Sequence, residues 1–207
     1  AWSWYDAVHQ ISRNPGNLNS LLGYYSFNEK AFFGNSMRML FVSNHDKNAW
    51  DGTEFEQFGE GLKAAIVLSV VSEGMPLIYN GQEAGNTKNL KFFDKDPIEW
   101  KRHDLGNFYK ELFALKKANT ALWNGSWGAR MIQIPNSSPN TVFSFVRQNS
   151  CDKVFAMLNF SEEPQTVTFS ETLYHGQYAE YFSKERVELL GTTPLELEPW
   201  GYRVFVK

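Results

Sequence analysis

The sequence predicts a chain in two parts, an α/β unit followed by an all-β antiparallel sandwich. Three observations carry this. Arg38 to Ser43 contains the apolar run Met39-Leu40-Phe41-Val42 and ends abruptly in Asn44-His45-Asp46. Gly74-Met75-Pro76-Leu77-Ile78-Tyr79-Asn80-Gly81-Gln82-Glu83 is a second short apolar strand that also ends in a turn carrying a carboxylate, and a helical stretch lies between the two. After Trp123-Asn124-Gly125 the apolar period changes to two.

The near-continuous apolar run before Asn44 suits a parallel strand buried on both faces. Strand, helix and strand with both polar ends pointing one way make a parallel βαβ unit. Three polar residues at a strand end are rejected by an interior unless they are paired. Two readings of Asn44-His45-Asp46 follow. One is a strand break, where Asn and Asp satisfy nearby backbone groups. The other is a site, because α/β barrels carry their active sites at the C-terminal ends of their strands.

Ala1 to Arg13 reads as a helix with Trp2, Tyr5, Val8, His9 and Ile11 on a rough stripe, broken by Asn14-Pro15-Gly16-Asn17. His9 on that stripe reads as a packing residue, with no partner spaced for a metal. Leu18 to Phe33 holds a second helix, and Gly34-Asn35-Ser36 leads into the first strand. Lys47 to Gly52 is expected to be a loop. Thr53 to Glu56 fits a capping box, so a helix starts there, weakened by Gly59 and Gly61 and apolar nearly all round from Leu62 to Val71. Glu54, Glu56 and Glu60 read as exposed residues of its start. Gly74 and Pro76 stop it. From Glu83 to about Asp96 the chain is polar and irregular, too long for a simple turn, and long loops at this face shape binding sites. Phe92 and Phe93 either line a cleft or, the better-supported use, bury the loop's own core. Leu105 to Ala118 is an amphipathic helix with Leu105, Phe108, Leu112 and Leu115 inward, and Lys110, Glu111, Lys116 and Lys117 in solvent. The tail then offers strands at Ala129–Ile134, Thr141–Arg147, Val154–Phe160, Gln165–Phe169, Gln177–Phe182, Leu195–Glu198 and Tyr202–Val206, with turn chemistry between many of them.

The pair F-x-x-N-H-D and G-x-P-x-x-Y-x-G-x-E, read at Phe41–Asp46 and Gly74–Glu83, resembles the last two barrel strands of the alpha-amylase family of glycoside hydrolases. Ile98-Glu99-Trp100, the helix around Phe108-Tyr109-Lys110 and the all-β tail fall where that family has them, so the resemblance covers nearly the whole chain. It implies a partial (β/α)8 TIM-barrel segment over residues 1–123, comprising the last two strands and their helices, and a C-terminal antiparallel β-sandwich over residues 124–207. It also implies that the chain begins just after the family's sixth barrel strand. The nucleophile and general acid then lie upstream.

The same resemblance assigns Asp46 to stabilising the transition state, and His45 to hydrogen bonding the hydroxyls of the sugar at the cleavage point. Asn44, Tyr79 and Glu83 become supporting residues. Trp50 is a sugar-stacking candidate on equal terms with simple packing. The expected substrate of the parent is an alpha-glucan or maltooligosaccharide, cleaved with retention. The chain alone is expected to be inert. It is expected to partner either the missing barrel portion or a copy of itself. No metal or cofactor is implied in this chain, while calcium in the intact parent and a periplasmic or secreted parent are both compatible with the resemblance.

Composition excludes little but agrees. With 207 residues the chain is too short for a full barrel of about 250 residues plus a further domain. A net charge of −3 gives no basic footprint for nucleic acid, and no stretch approaches a membrane span of about 20 apolar residues. Ala1-Trp2-Ser3-Trp4 lacks the basic start and apolar centre of a signal peptide, and the single Cys151 excludes an intrachain disulfide. The competing reading is a non-catalytic carbohydrate-binding or interaction module using Trp127 or Trp200, although an isolated Trp in a sandwich is normally core. A phosphate-binding fragment is disfavoured because the turns after Asn44 and Gly81 lack a Gly-rich cradle.

Overall fold

The computed structural model describes residues 1–32, 35–191 and 193–207. Helix α1, Trp2–Arg13, buries Trp4, Tyr5, Val8 and Ile11, a helical spacing that faces one core. His9 stacks on Tyr5 and meets Phe58 edge-on, which is a packing role. Helix α2, Asn19–Ala31, follows and buries Leu21 and Tyr24. Phe33 and Gly34, where the expected helix ends and the lead-in to the strand begins, lie outside the described residues.

Strand β1 is only Met39–Leu40, paired in parallel with β2, Met75–Pro76. The expected strand over Arg38–Ser43 is shortened because a strand is defined by its partners, and the pairing with β2 ends at Leu40 and Pro76. The ladder consists of Met75 N–H to Arg38 O at 2.7 Å and Leu77 N–H to Leu40 O at 2.8 Å. Phe41 and Val42 stay buried beyond the paired segment. Gly74 permits the approach: it has φ +145°, and a Cβ there would lie 2.6 Å from Leu40 Cγ.

The expected loop after Asp46 is instead a π-helical turn, Lys47–Asp51. Helix α3, Glu54–Phe58, starts on the capping box, with Thr53 N–H donating to Glu56 Oε2 at 2.8 Å and Glu56 N–H to Thr53 Oγ1 at 3.4 Å. Gly59 has φ +52° and ends that helix outright, so the expected single helix is two. A 3-10 turn at Gly59–Gly61 leads into helix α4, Leu62–Val71, in which every residue but Lys63 is buried. Helix α5, Asp104–Ala118, is capped by His103, whose Nδ1 accepts from Leu105 N–H at 3.2 Å.

The tail forms β3 Met131–Gln133, β4 Val142–Gln148, β5 Lys153–Asn159, β6 Gln165–Val167, β7 Gly176–Glu180, β8 Arg186–Leu189, β9 Leu195–Leu197 and β10 Tyr202–Val206. Six of these make one antiparallel sheet in the order β3-β4-β5-β10-β7-β8, and β6 pairs antiparallel with β9. Strand β8 is not among the expected strands. It is an edge strand, and charged residues such as Arg186 and Glu188 suit an edge while masking the strand pattern. The sheet is buried on both faces. Along β5, Val154, Ala156 and Leu158 enter one core with α1, α4 and α5, while Phe155 and Met157 enter a second with β6 and β9. The first core draws on residues from both sides of Trp123-Asn124.

Two buried cations join these parts. Arg147 on β4 is 1% exposed and donates only to backbone carbonyls: Nε to Ala129 at 2.9 Å, Nη1 to Ser72 at 2.8 Å and to Val71 and Leu122 at 3.3 Å each, and Nη2 to Trp123 at 2.8 Å. Burial pushes the guanidinium down to about 10. Lys116 is buried too, contrary to its expected solvent face. Its Nζ donates to Val70 O at 3.1 Å and Leu122 O at 2.8 Å, and burial lowers its pKa to about 7. Both cations sit against the last carbonyls of α4, where the helix dipole is negative.

Arg147→Met should cost at least about 3 kcal/mol, because several buried carbonyls lose their donors at about 1–3 kcal/mol each. Arg147→Lys should recover little, since an ammonium cannot reproduce the planar fork. Urea midpoints of the three proteins check this, and a Lys variant as stable as the parent would refute it.

Candidate functional site

Parallel pairing of β1 with β2 sends the turns at 44–46 and 79–83 out of the same end of the pair. Asn44 is buried, and its Oδ1 accepts from Lys47 N–H at 2.8 Å while its carbonyl accepts from Asn48 N–H at 2.9 Å. Asn44 thereby caps the turn that carries the next residues. His45 and Asp46 stand side by side, with Nε2 to Oδ1 at 3.6 Å and side chains 65% and 39% exposed. Lys47 turns away, its Nζ 2.7 Å from Asp51 Oδ2 and 4.5 Å from the centre of the Tyr5 ring.

The second turn is closed by itself. Glu83 Oε2 accepts from Gly81 N–H at 3.1 Å, and Gln82 Oε1 accepts from Tyr79 N–H at 2.6 Å. Gln82, fully buried, also donates from Nε2 to Tyr109 Oη at 3.2 Å, tying the turn to α5. Tyr79 thus enters through its backbone, and no hydrogen bond joins this turn to Asp46 among the described residues. A hollow of about 310 Å³ beside it is lined by Glu83, Ala84, Trp100, Lys101 and Arg102. No group of three or more His, Cys, Asp or Glu among the described residues could hold a metal ion.

Trp50 rides on the π-helical turn, 65% exposed, with its ring 5.5 Å from Phe92. Phe92 lies 5.7 Å from His45. Phe92 and Phe93 are exposed, so they do not bury the loop's core as expected. Leu90 is the buried residue there. The loop is organised by Asn48, a residue sequence reasoning missed: it is 1% exposed, donates to Lys88 O at 3.2 Å and accepts from Leu90 N–H at 2.8 Å. A lone Asn in a turn gives no sequence signal for such a bridge over 40 residues. Of the two tail tryptophans, only Trp200 packs against the core, as an isolated Trp in a sandwich normally does. Trp127 stands 68% exposed, outside the core. Trp200 packs on Gly61, where a Cβ would lie 3.1 Å from its Cε3.

Residues 132–204 match the family model described as Maltogenic Amylase, C-terminal domain. Over 193 residues the chain is 24% identical to Alpha-amylase 2 of Dictyoglomus thermophilum, covering 86% of this chain and 31% of that protein. The chain is thus similar, over most of its length, to the C-terminal part of alpha-amylase family enzymes. A Beta/alpha-amylase of Paenibacillus polymyxa is 25% identical over 180 residues, 81% of this chain and 14% of that protein. The fold matches that of a noncanonic maltogenic alpha-amylase AmyB from Thermotoga neapolitana with TM-score 0.79 and 17% identity, over 95% of this chain and 47% of that one. The chain therefore spans less than half the length of each of these alpha-amylase family relatives.

One acid departs from its expected place. Glu54 is 2% exposed rather than solvated, its Oε1 has no hydrogen-bond partner, and burial raises its carboxyl to about 7. Between its ordinary 4.5 and about 7 the folded protein holds a proton that the unfolded chain has released, so this group's contribution to stability falls as pH rises through that window. Glu54→Gln should flatten the loss between pH 5 and pH 8 and raise the urea midpoint at pH 8. Parallel pH profiles for the two proteins would count against the buried acid.

Proposed function

We propose that this chain is part of a retaining alpha-glucan hydrolase, in which Asp46 stabilises the transition state and His45 binds the sugar at the cleavage point. The observation that carries the reading is the exposed His45–Asp46 pair at the common end of two parallel strands. The names of the relatives, alpha-amylases and a maltogenic alpha-amylase, support an alpha-glucan as the substrate class. On this reading β1, β2 and their helices are the last strands of a (β/α)8 barrel, and Asn44, Tyr79 and Glu83 support the two turns.

Retaining hydrolysis needs a nucleophile and an acid/base carboxyl about 5–5.5 Å apart, with a transition state that resembles an oxocarbenium ion. A fixed carboxylate near the sugar favours that developing positive charge without reorganisation. Asp46 fits this part, because Asn44 fixes its turn while its side chain stays open to a ligand. The imidazole beside it donates to hydroxyls. Asp46 and His45 alone do not make a nucleophile and a protonating acid, so the reading assigns both to the remainder of the parent. That remainder is also the partner proposed for the open edge of the β1–β2 pair, with self-association of the chain as the alternative.

The chain by itself should release no reducing sugar from starch or maltooligosaccharides. In the parent enzyme, Asp46→Asn should lower kcat by about 10²-fold or more with an unchanged circular dichroism spectrum, the scale expected for loss of one preorganised electrostatic group. Full turnover in that variant would remove Asp46 from the mechanism.

A further inference from the structure

Two buried cations meet at the joint between the helical layer and the antiparallel sheet, and no anion comes with them. Lys116 Nζ and Arg147 Nη1 both donate to Leu122 O, at 2.8 and 3.3 Å. The remaining acceptors of both side chains are carbonyls as well, and no carboxylate bonds to either group among the described residues. The charged and titratable groups of the surrounding elements have other partners or lie apart. Glu73, after α4, accepts from Met131 N–H and from Arg130 Nε at 3.3 Å, although its charge favours the charged guanidinium. Asp152, before β5, accepts from Thr120 N–H at 2.8 Å. Lys153 on β5 donates to His175 O at 2.8 Å. Tyr25 on α2 faces Arg147, and burial raises its hydroxyl so that it stays neutral. Lys63, the charged residue of α4, lies at the helix's other end, and Lys117 beside Lys116 is exposed.

We infer that Lys116 makes this joint pH-sensitive: the joint is tightest with the amine neutral, and protonation sets two like charges on one carbonyl and loosens it. Lys116 uses two N–H groups on two carbonyls, Val70 O and Leu122 O. A neutral amine still has two, so releasing the third proton breaks no hydrogen bond. It does remove a buried charge that has no counterion, together with its repulsion from Arg147. Arg147 is the group that keeps its charge, because a guanidinium holds its proton at neutral pH. Burial and the neighbouring guanidinium lower the amine from its ordinary 10.5 to about 7. Below that value the amine is protonated in the folded and the unfolded chain alike, and the folded joint carries both charges. Between about 7 and 10.5 the unfolded chain holds a proton that the folded chain has released, so stability rises with pH through the window. Glu54 acts below that window and with opposite sign, so the two effects separate. Val70 lies in the last turn of α4, which leads to β2, so the state of the joint bears on the placement of the parallel pair. None of this depends on the roles proposed for His45 and Asp46.

The test follows the amine and the joint separately in the full chain. Nitrogen NMR of the lysine side chains, with Lys116 assigned by its loss in Lys116→Met, reports the amine. Hydrogen exchange at Ala129 N–H, corrected for the intrinsic rate, reports the joint, because that group donates to Ala121 O at 2.9 Å between the connector and the start of the tail. Lys116 Nζ is expected to titrate near pH 7, far below the exposed lysines. Opening at Ala129 should fall by about tenfold or more from about pH 6.5 to about pH 8.5, since each pH unit inside the window is worth up to about a factor of ten. Lys116→Arg keeps donors for both carbonyls and cannot be neutralised, so it should fold and lose this dependence, and circular dichroism verifies the fold. Lys116→Met should lose the dependence too, at lower overall stability. A Lys116 amine that titrates with the exposed lysines overturns the inference. So does an amine that is neutral in mild alkali with no change at Ala129, or a pH dependence of the same size in Lys116→Arg.

Discussion

The Arg147 guanidinium holds the two kinds of structure in this chain together. Its acceptors come from the end of α4, from the segment after α5 and from the start of the tail, and they lie 18 to 76 residues away in sequence. A guanidinium offers five donors in a fixed plane, so it can gather carbonyls that secondary structure leaves unpaired. The helix end, the connector and β4 therefore have one relative placement that satisfies all of them. Lys116 adds a second cation against the same helix end. The apolar core around them spans both parts, which makes the antiparallel sheet a wall of the α/β layer rather than an appendage.

That placement reaches the site through α4. The helix is buried at every residue but Lys63 and leads through Ser72 and Glu73 into Gly74 and β2, whose register against β1 sets where both polar turns emerge. Each turn is then finished locally, by Asn44 in one case and Gln82 in the other. Rigid elements thus bring the turns to the same end, and short side-chain bonds fix each turn's shape. Side chains presented this way stay exposed yet ordered, which is what a ligand-binding corner needs.

What was legible in the sequence is what local chemistry decides. The capping box at Thr53 and Glu56, the breaks at Pro15 and Gly74, the amphipathic start of α5 and the short apolar runs of β4, β5 and β10 all depend on near neighbours. The motif spacing around His45 and Asp46 likewise lies in the chain itself. The misreadings share another cause. Lys116 and Glu54 are polar residues whose burial depends on segments arriving from elsewhere, and no local pattern announces it. Phe92 and Phe93 fail in the opposite sense, since apolar residues in a loop were assigned to a core that Leu90 fills. Strand β8 escaped because an edge strand needs only one apolar face, and its charges hide even that.

The short parallel pair has one more consequence, and it is chemical. Met39 and Met75 are register partners, both with thioethers open to solvent, and Met37 just upstream is equally open, whereas Met157 is fully buried in the tail. Oxidation converts such a flexible apolar side chain into a polar sulfoxide. The face of the β1–β2 pair is thus one part of this protein whose surface character an oxidant changes. Whatever covers that face also shields its sulfur atoms, so the redox history of three methionines records whether the edge was ever left open.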